Sequence, residues 1–167
     1  MSHQNTKNSG HGINTRLSHA GRIPDEQFGF VNTPIYRGST VLYPSVDAIN
    51  KRDQRYTYGT KGTPTSDALN TAWAEISGAA GSVAVPSGLA AVALALLATT
   101  KAGDHVLITD SVYRPTRLFA EDFLLRFGVT VSYFDPMIGS GIASLFKDNT
   151  STVFTESHGS QSFEVQD

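Results

Sequence analysis

The sequence predicts an α/β domain with a mostly parallel sheet and an extended N-terminal arm, and three observations carry that reading. From residue 64 onward, helix-length and strand-length apolar segments alternate. Strands separated by helices imply βαβ units, parallel pairing and right-handed crossovers. Before about residue 60 the chain is rich in turn formers and polar residues, with short apolar pieces such as "FVNTPIY" and "STVLYP" and no sustained helical period. Finally, 167 residues of which 40% are hydrophobic and 17% charged suffice for one soluble core. The chain is therefore divided into an arm, residues 1–60, and the first part of an α/β domain, residues 61–167.

The elements follow in order. "TPTSDALNTAWAEISGAAG" places Leu69, Ala72, Trp73 and Ile76 on one helical face, with Ser66 as candidate N-cap and Gly78 just past the end. A strand "SVAVP" leads through Pro86-Ser87-Gly88 into the helix "GLAAVALALLATT". Then come a strand "HVLITD", a helix from Pro115 to Phe127, a strand "VTVSYFD", a short helix "IASLFKD" and a strand "STVFTE". After that strand the chain reads "HGSQSFEVQD", with no helix to cover it, so the domain reads as cut off.

Composition removes several functions. A net charge of −2 gives no broad basic field, which disfavours nucleic acid and anionic membranes as partners and leaves a small molecule or another protein. With no cysteine there is no disulfide framework, thiolate nucleophile or cysteine zinc site, which is compatible with the cytoplasm. The start, "MSHQNTKNSGHG", lacks the apolar core of a signal peptide, and the run "LAAVALALLA" is too short to span a bilayer. His3, His11, His19, His105 and His158 show no ligand spacing with carboxylates, so no metal site is expected.

Three places hold candidate chemistry. At "VPSGLAAV" the Gly88 and Leu89 amides and the Ser87 hydroxyl face the start of a helix; the turn fits a phosphate cradle or an ordinary capped βα turn. It is not a serine-hydrolase elbow, since Val85 stands where that motif needs glycine. Tyr113 follows a strand and precedes Pro115, which puts it at the carboxyl end of a parallel strand, where open α/β sheets bind ligands; the alternative is a half-buried packing aromatic. The loop "RYTYGTKGTPT" offers Tyr56, Tyr58 and Lys61 to a ligand or a second subunit, or is a solvated turn. Arg16, Arg22 and Arg37 read as surface charges.

Taken in order from "NTRLSHAGR", the pieces "NTPIYRGSTVLYPS", "YTYGTKGTPT", "VPSGLAAVALALLA", "GDHVLITDSVYRPT" and "GVTVSYFDPMIG" resemble the Cys/Met-metabolism family of pyridoxal 5'-phosphate enzymes. The resemblance implies the fold-type I, aspartate aminotransferase-like large domain. It implies Ser87, Gly88 and Leu89 as ligands of the cofactor phosphate. Tyr113 is implied to stack on the cofactor ring and assist substrate activation, and Tyr58 to reach the phosphate of a neighbouring subunit in a homotetramer.

The implied activity is carbon–sulfur β-cleavage of cystathionine to homocysteine, pyruvate and ammonia, a step towards methionine. "DPMIG" and the "GS" after "TESH" favour it over γ-lyase or γ-synthase activity in the same family. The rival outside enzymology is a non-catalytic piece that acts only by association.

Three departures stand out. Thr60 replaces an arginine common in the family, with Lys61 adjacent, and His158 stands where proline is usual, which is expected to loosen that turn. The family's pyridinium-pairing aspartate and Schiff-base lysine lie downstream of the matched segments. None of Lys7, Lys51, Lys61, Lys101 and Lys147 fits the lysine motif, so this chain alone is expected to be inactive.

Overall fold

The three strands of the computed structural model lie side by side in the order β2-β1-β3, all parallel, and the structure describes residues 10–167. They are β1 (His105–Thr109), β2 (Thr130–Phe134) and β3 (Thr150–Phe154), each within one or two residues of the sequence expectation. In register, Val106 faces Val131 on one side and Thr152 on the other. All five residues of β1 are buried, as a central parallel strand covered on both faces requires. Among the described residues no helix is long and apolar enough to cross a membrane.

The chain divides into two compact units between Ala84 and Val85. Among the described residues the first holds three α-helices, α1 (Ile13–His19), α2 (Val46–Lys51) and α3 (Pro64–Ser77), and a 3-10 turn over Pro24–Gln27, so the arm carries short helical pieces that its broken periodicity did not reveal. The N-cap of α3 is Thr63, not the expected Ser66. Thr63 Oγ1 accepts from the Ser66 N–H while Ser66 Oγ accepts from the Thr63 N–H, and Pro64 occupies the first helical position with its φ preset. Gly78 ends the helix in the left-handed conformation, as expected.

Arg16 is no mere surface charge. Its Nε lies 2.7 Å from Glu75 Oε1 and a second nitrogen donates to the Glu75 carbonyl, pinning α1 against α3. The pair is partly exposed and contributes at most about 1 kcal/mol. The apolar stripe of α3 is uncovered by the described residues: Leu69, Trp73 and Ile76 are all exposed.

The expected strand at residues 82–86 does not form. The Ala84 N–H donates to Asn70 Oδ1 at 3.1 Å, so α3 supplies a partner that a strand neighbour would otherwise provide, and Ser82 Oγ ties the same segment to the Asn70 carbonyl at 2.7 Å.

In the second unit α4 (Gly88–Thr99) covers the sheet, followed after β1 by α5 (Arg114–Leu118), which widens into a π-helical stretch over Phe119–Leu124. The helical path expected over residues 115–127 is present, with Phe119 stacked on Phe123 at a centroid distance of 4.9 Å and Phe127 tilted against Phe123 at 4.7 Å. The core joins Leu96 of α4 to Val106, Ile108, Ala120, Leu124 and Val129. The expected short helix at 142–148 is a 3-10 segment over Gly139–Leu145, earlier by three residues.

His105 opens β1 fully buried and bridges both neighbours: Nδ1 lies 2.8 Å from Thr150 Oγ1 and Nε2 2.9 Å from Ser132 Oγ. Burial, and then the Lys147 ammonium, hold its pKa below the ordinary 6.5. The unfolded chain therefore binds this proton more tightly, so stability is complete above about pH 6.5 and is lost as pH falls below it. Urea midpoints at pH 7.5 and 5.5 check this: the wild-type midpoint falls on acidification, and the fall is smaller in His105→Asn. Equal falls in both proteins would remove His105 as the cause.

Candidate functional site

Ser87 sits in extended conformation as the N-cap of α4, its Oγ accepting from the Ala90 N–H at 3.1 Å, while the Ala91 N–H closes the first helical turn on the Ser87 carbonyl. That leaves the Gly88 and Leu89 amides without intrahelical partners, at an exposed end carrying the positive pole of a twelve-residue helix. A Cβ added to Gly88 would meet nothing within 4 Å, and Ser87, Gly88 and Leu89 are all exposed, so this helix end is accessible to a ligand. The Ser87 hydroxyl accepts only one bond, so its own hydrogen stays free to donate. Two amides and one hydroxyl around open space fit a phosphate monoester, with no acidic side chain in the first turn to repel it.

Tyr113 lies at the carboxyl end of β1, as expected, and caps α5 without a side-chain hydrogen bond. The residue is 48% exposed, so its side chain is accessible to a ligand. Its backbone N–H donates to Glu156 Oε2 at 3.2 Å. No hydrogen bond or ring contact among the described residues joins Tyr113 to the α4 cradle.

Beside it, Arg117 donates to the Asp110 carboxylate and lies 3.7 Å above the Tyr133 ring centroid, so a cation closes one wall of a cavity of about 730 Å³. Burial, and then the Glu121 carboxylate, push the Tyr133 pKa up to about 12.

Tyr58 belongs to the first unit and is considered there alone. The loop composition offered Tyr56 and Tyr58 alike and the family resemblance chose Tyr58; in the structure the two hydroxyls have different surroundings. The Tyr56 hydroxyl donates to Asp67 Oδ2 at 3.0 Å, and burial, with that carboxylate second, pushes its pKa up to about 12. It is a structural donor. Tyr58 is exposed, its hydroxyl free of partners among the described residues, while its backbone bridges to Thr40 and the Gly59 N–H donates to the Ser39 carbonyl at 2.6 Å. Thr60 and Lys61 are exposed beside it.

Sequence reasoning missed Glu156 and Arg117. The only available signal for Glu156 was its place at the end of an expected strand; its partner stands 43 positions earlier.

The sequence profile of the Cys/Met metabolism PLP-dependent enzymes matches residues 14–167. The chain belongs to that family. A Rhizobium johnstonii protein named "Putative cystathionine beta-lyase" is 53% identical over 156 residues, covering 93% of this chain and 39% of its own length. Cystathionine beta-lyase MetC of Escherichia coli is 41% identical over 160 residues, covering 93% of this chain and 40% of its own. The crystal structure of metB from Corynebacterium glutamicum matches with a TM-score of 0.85 at 29% identity, covering 94% of this chain and 40% of that one. The chain thus spans about two fifths of the length of the relatives it matches. Membership establishes pyridoxal 5'-phosphate as the family's cofactor and lyases as its homologues.

The Tyr58 loop depends on a close backbone approach. A Cβ at Gly59 would lie 1.8 Å from the Gly38 carbonyl oxygen, which only backbone movement can relieve. Gly59→Ala is expected to cost about 1–3 kcal/mol in urea unfolding and to speed hydrogen exchange at the Gly59 amide. An unchanged midpoint with unchanged exchange would mean the approach is not tight.

Proposed function

We propose that this chain supplies the cofactor cradle and the ring-facing tyrosine of a cytoplasmic carbon–sulfur β-lyase that cleaves cystathionine. The reaction consumes water and releases homocysteine, pyruvate and ammonia. Bound pyridoxal 5'-phosphate supplies the electron sink for loss of the α-proton and departure of the β-thiolate. The single observation carrying the reading is the open end of α4 in a chain of this family.

The residues act by holding and orienting. The Gly88 and Leu89 N–H groups and the Ser87 O–H donate to the phosphate, without charge of their own and with the helix dipole behind them. Tyr113 offers its exposed ring to the cofactor ring, fixing its tilt, and its free hydroxyl is the group available to assist substrate activation. Tyr58, with Thr60 and Lys61, is presented for the phosphate of a neighbouring subunit in a homotetramer. Preference for β- over γ-cleavage is supported by the relatives' names and by the "DPMIG" segment.

Gly88→Pro tests the cradle cleanly. Proline suits the first helical position, and extended Ser87 accepts a following proline, so the helix survives while one donor disappears. Pyridoxamine 5'-phosphate is the better probe, since it has no aldehyde to react with surface lysines. Its affinity is expected to drop roughly tenfold or more, the worth of one hydrogen bond to a charged group, with pyridoxamine lacking the phosphate unaffected. Equal affinity in wild type and variant would sink the cradle. A separate expectation concerns turnover: this chain with cystathionine and pyridoxal 5'-phosphate yields no pyruvate beyond that of the free cofactor, and coupled lactate dehydrogenase measures it.

A further inference from the structure

We propose that Glu156 is a positioning residue for Tyr113, an inference that rests on the cofactor role proposed above. Tyr113 heads α5, where no side chain of its own helix caps the first amides. Its N–H is instead donated across the sheet to Glu156 Oε2 at 3.2 Å. Among the described residues no cation pairs with Glu156, so the carboxylate is committed to backbone rather than to an ion pair. A bond to the amide fixes the Tyr113 Cα, and with it the origin from which the ring swings.

The same loop is held at a second point. The Ser160 N–H donates to the Ser111 carbonyl at 2.9 Å, and Gly159 is buried so closely against Ser111 that a Cβ there would lie 2.5 Å from Ser111 Cβ. Gln166 Nε2 reaches both Thr109 Oγ1 at 2.8 Å and the Glu156 carbonyl, joining the ends of β1 and β3. The turn around His158, where a missing proline predicted looseness, is thus tied down by its neighbours and by the His158–Phe163 ring contact at 5.4 Å.

Topology makes this an apt place for such a clamp. With strand order β2-β1-β3, the chain leaves β1 toward one side and returns as β3 on the other. Such a reversal opens a crevice at the carboxyl ends of the two strands, the usual ligand position in open α/β sheets. Residues 156–160 therefore set where the tyrosine stands.

Three variants test it, with hydrogen exchange at the Tyr113 amide and pyridoxamine 5'-phosphate affinity as readouts. Glu156→Ala is expected to accelerate Tyr113 exchange and to weaken pyridoxamine 5'-phosphate, each about tenfold. Glu156→Gln, which keeps an acceptor oxygen, restores both to near wild type. Gly159→Ala, which pushes the clamp off Ser111, reproduces the Glu156→Ala effects from a different side. Unaltered protection at Val106, Leu107 and Ile108 certifies that the sheet is intact in each protein. Unchanged Tyr113 exchange in Glu156→Ala overturns the proposal, as does failure of Glu156→Gln to rescue or wild-type affinity in Glu156→Ala. Wild-type protein that binds no pyridoxamine 5'-phosphate overturns the proposed function itself, and this inference with it.

Discussion

Everything in the second unit hangs from β1. A strand buried on both faces must satisfy all its backbone groups through its two neighbours, because an unpaired buried amide costs as much as a lost hydrogen bond. Parallel pairing to β2 and β3 does this, and His105 adds a side-chain bridge from the first residue of β1 to both flanking strands. With β1 so fixed, the loop at its carboxyl end has a rigid base, and the tyrosine it carries is placed by the scaffold rather than by its own flexibility.

The α4 cradle obeys a different logic. Nothing long-range is needed for it: a serine cap, a glycine with open space before it and a run of good helix formers suffice to leave two amides pointing outward. Its attraction for phosphate comes from backbone dipoles, so it carries no side-chain charge of its own. In family terms this separates two tasks. On the proposed function the helix end holds the phosphate, and the loop after β1, with Glu156 behind it, positions the ring-facing tyrosine.

The first unit shows how context divides similar residues. Tyr56 and Tyr58 stand two positions apart in one glycine-rich loop, yet Asp67 of α3 captures the first hydroxyl and leaves the second free. The uncovered stripe of α3, with Trp73 at its centre, follows the same theme: periodicity marked the face as apolar, but only neighbours decide whether an apolar face is covered.

The sequence by itself determined the elements whose signals are local. The strand runs around Val106, Val131 and Val153, the helix capped by Ser87 and the stop at Gly78 all follow from periodicity, caps and φ preferences within a few residues; the Thr63–Ser66 capping box around Pro64 is equally local, although Ser66 was the cap expected. The ordered motifs likewise carried the family and its cofactor. Tertiary structure decided what depends on distant partners. Residues 82–84 formed no strand, and Asn70 of α3 holds the Ala84 N–H and the Ser82 hydroxyl instead. The bond from Tyr113 to Glu156 joins positions 43 apart, and no local preference encodes which carboxylate a backbone amide will meet once strands β1 and β3 have paired.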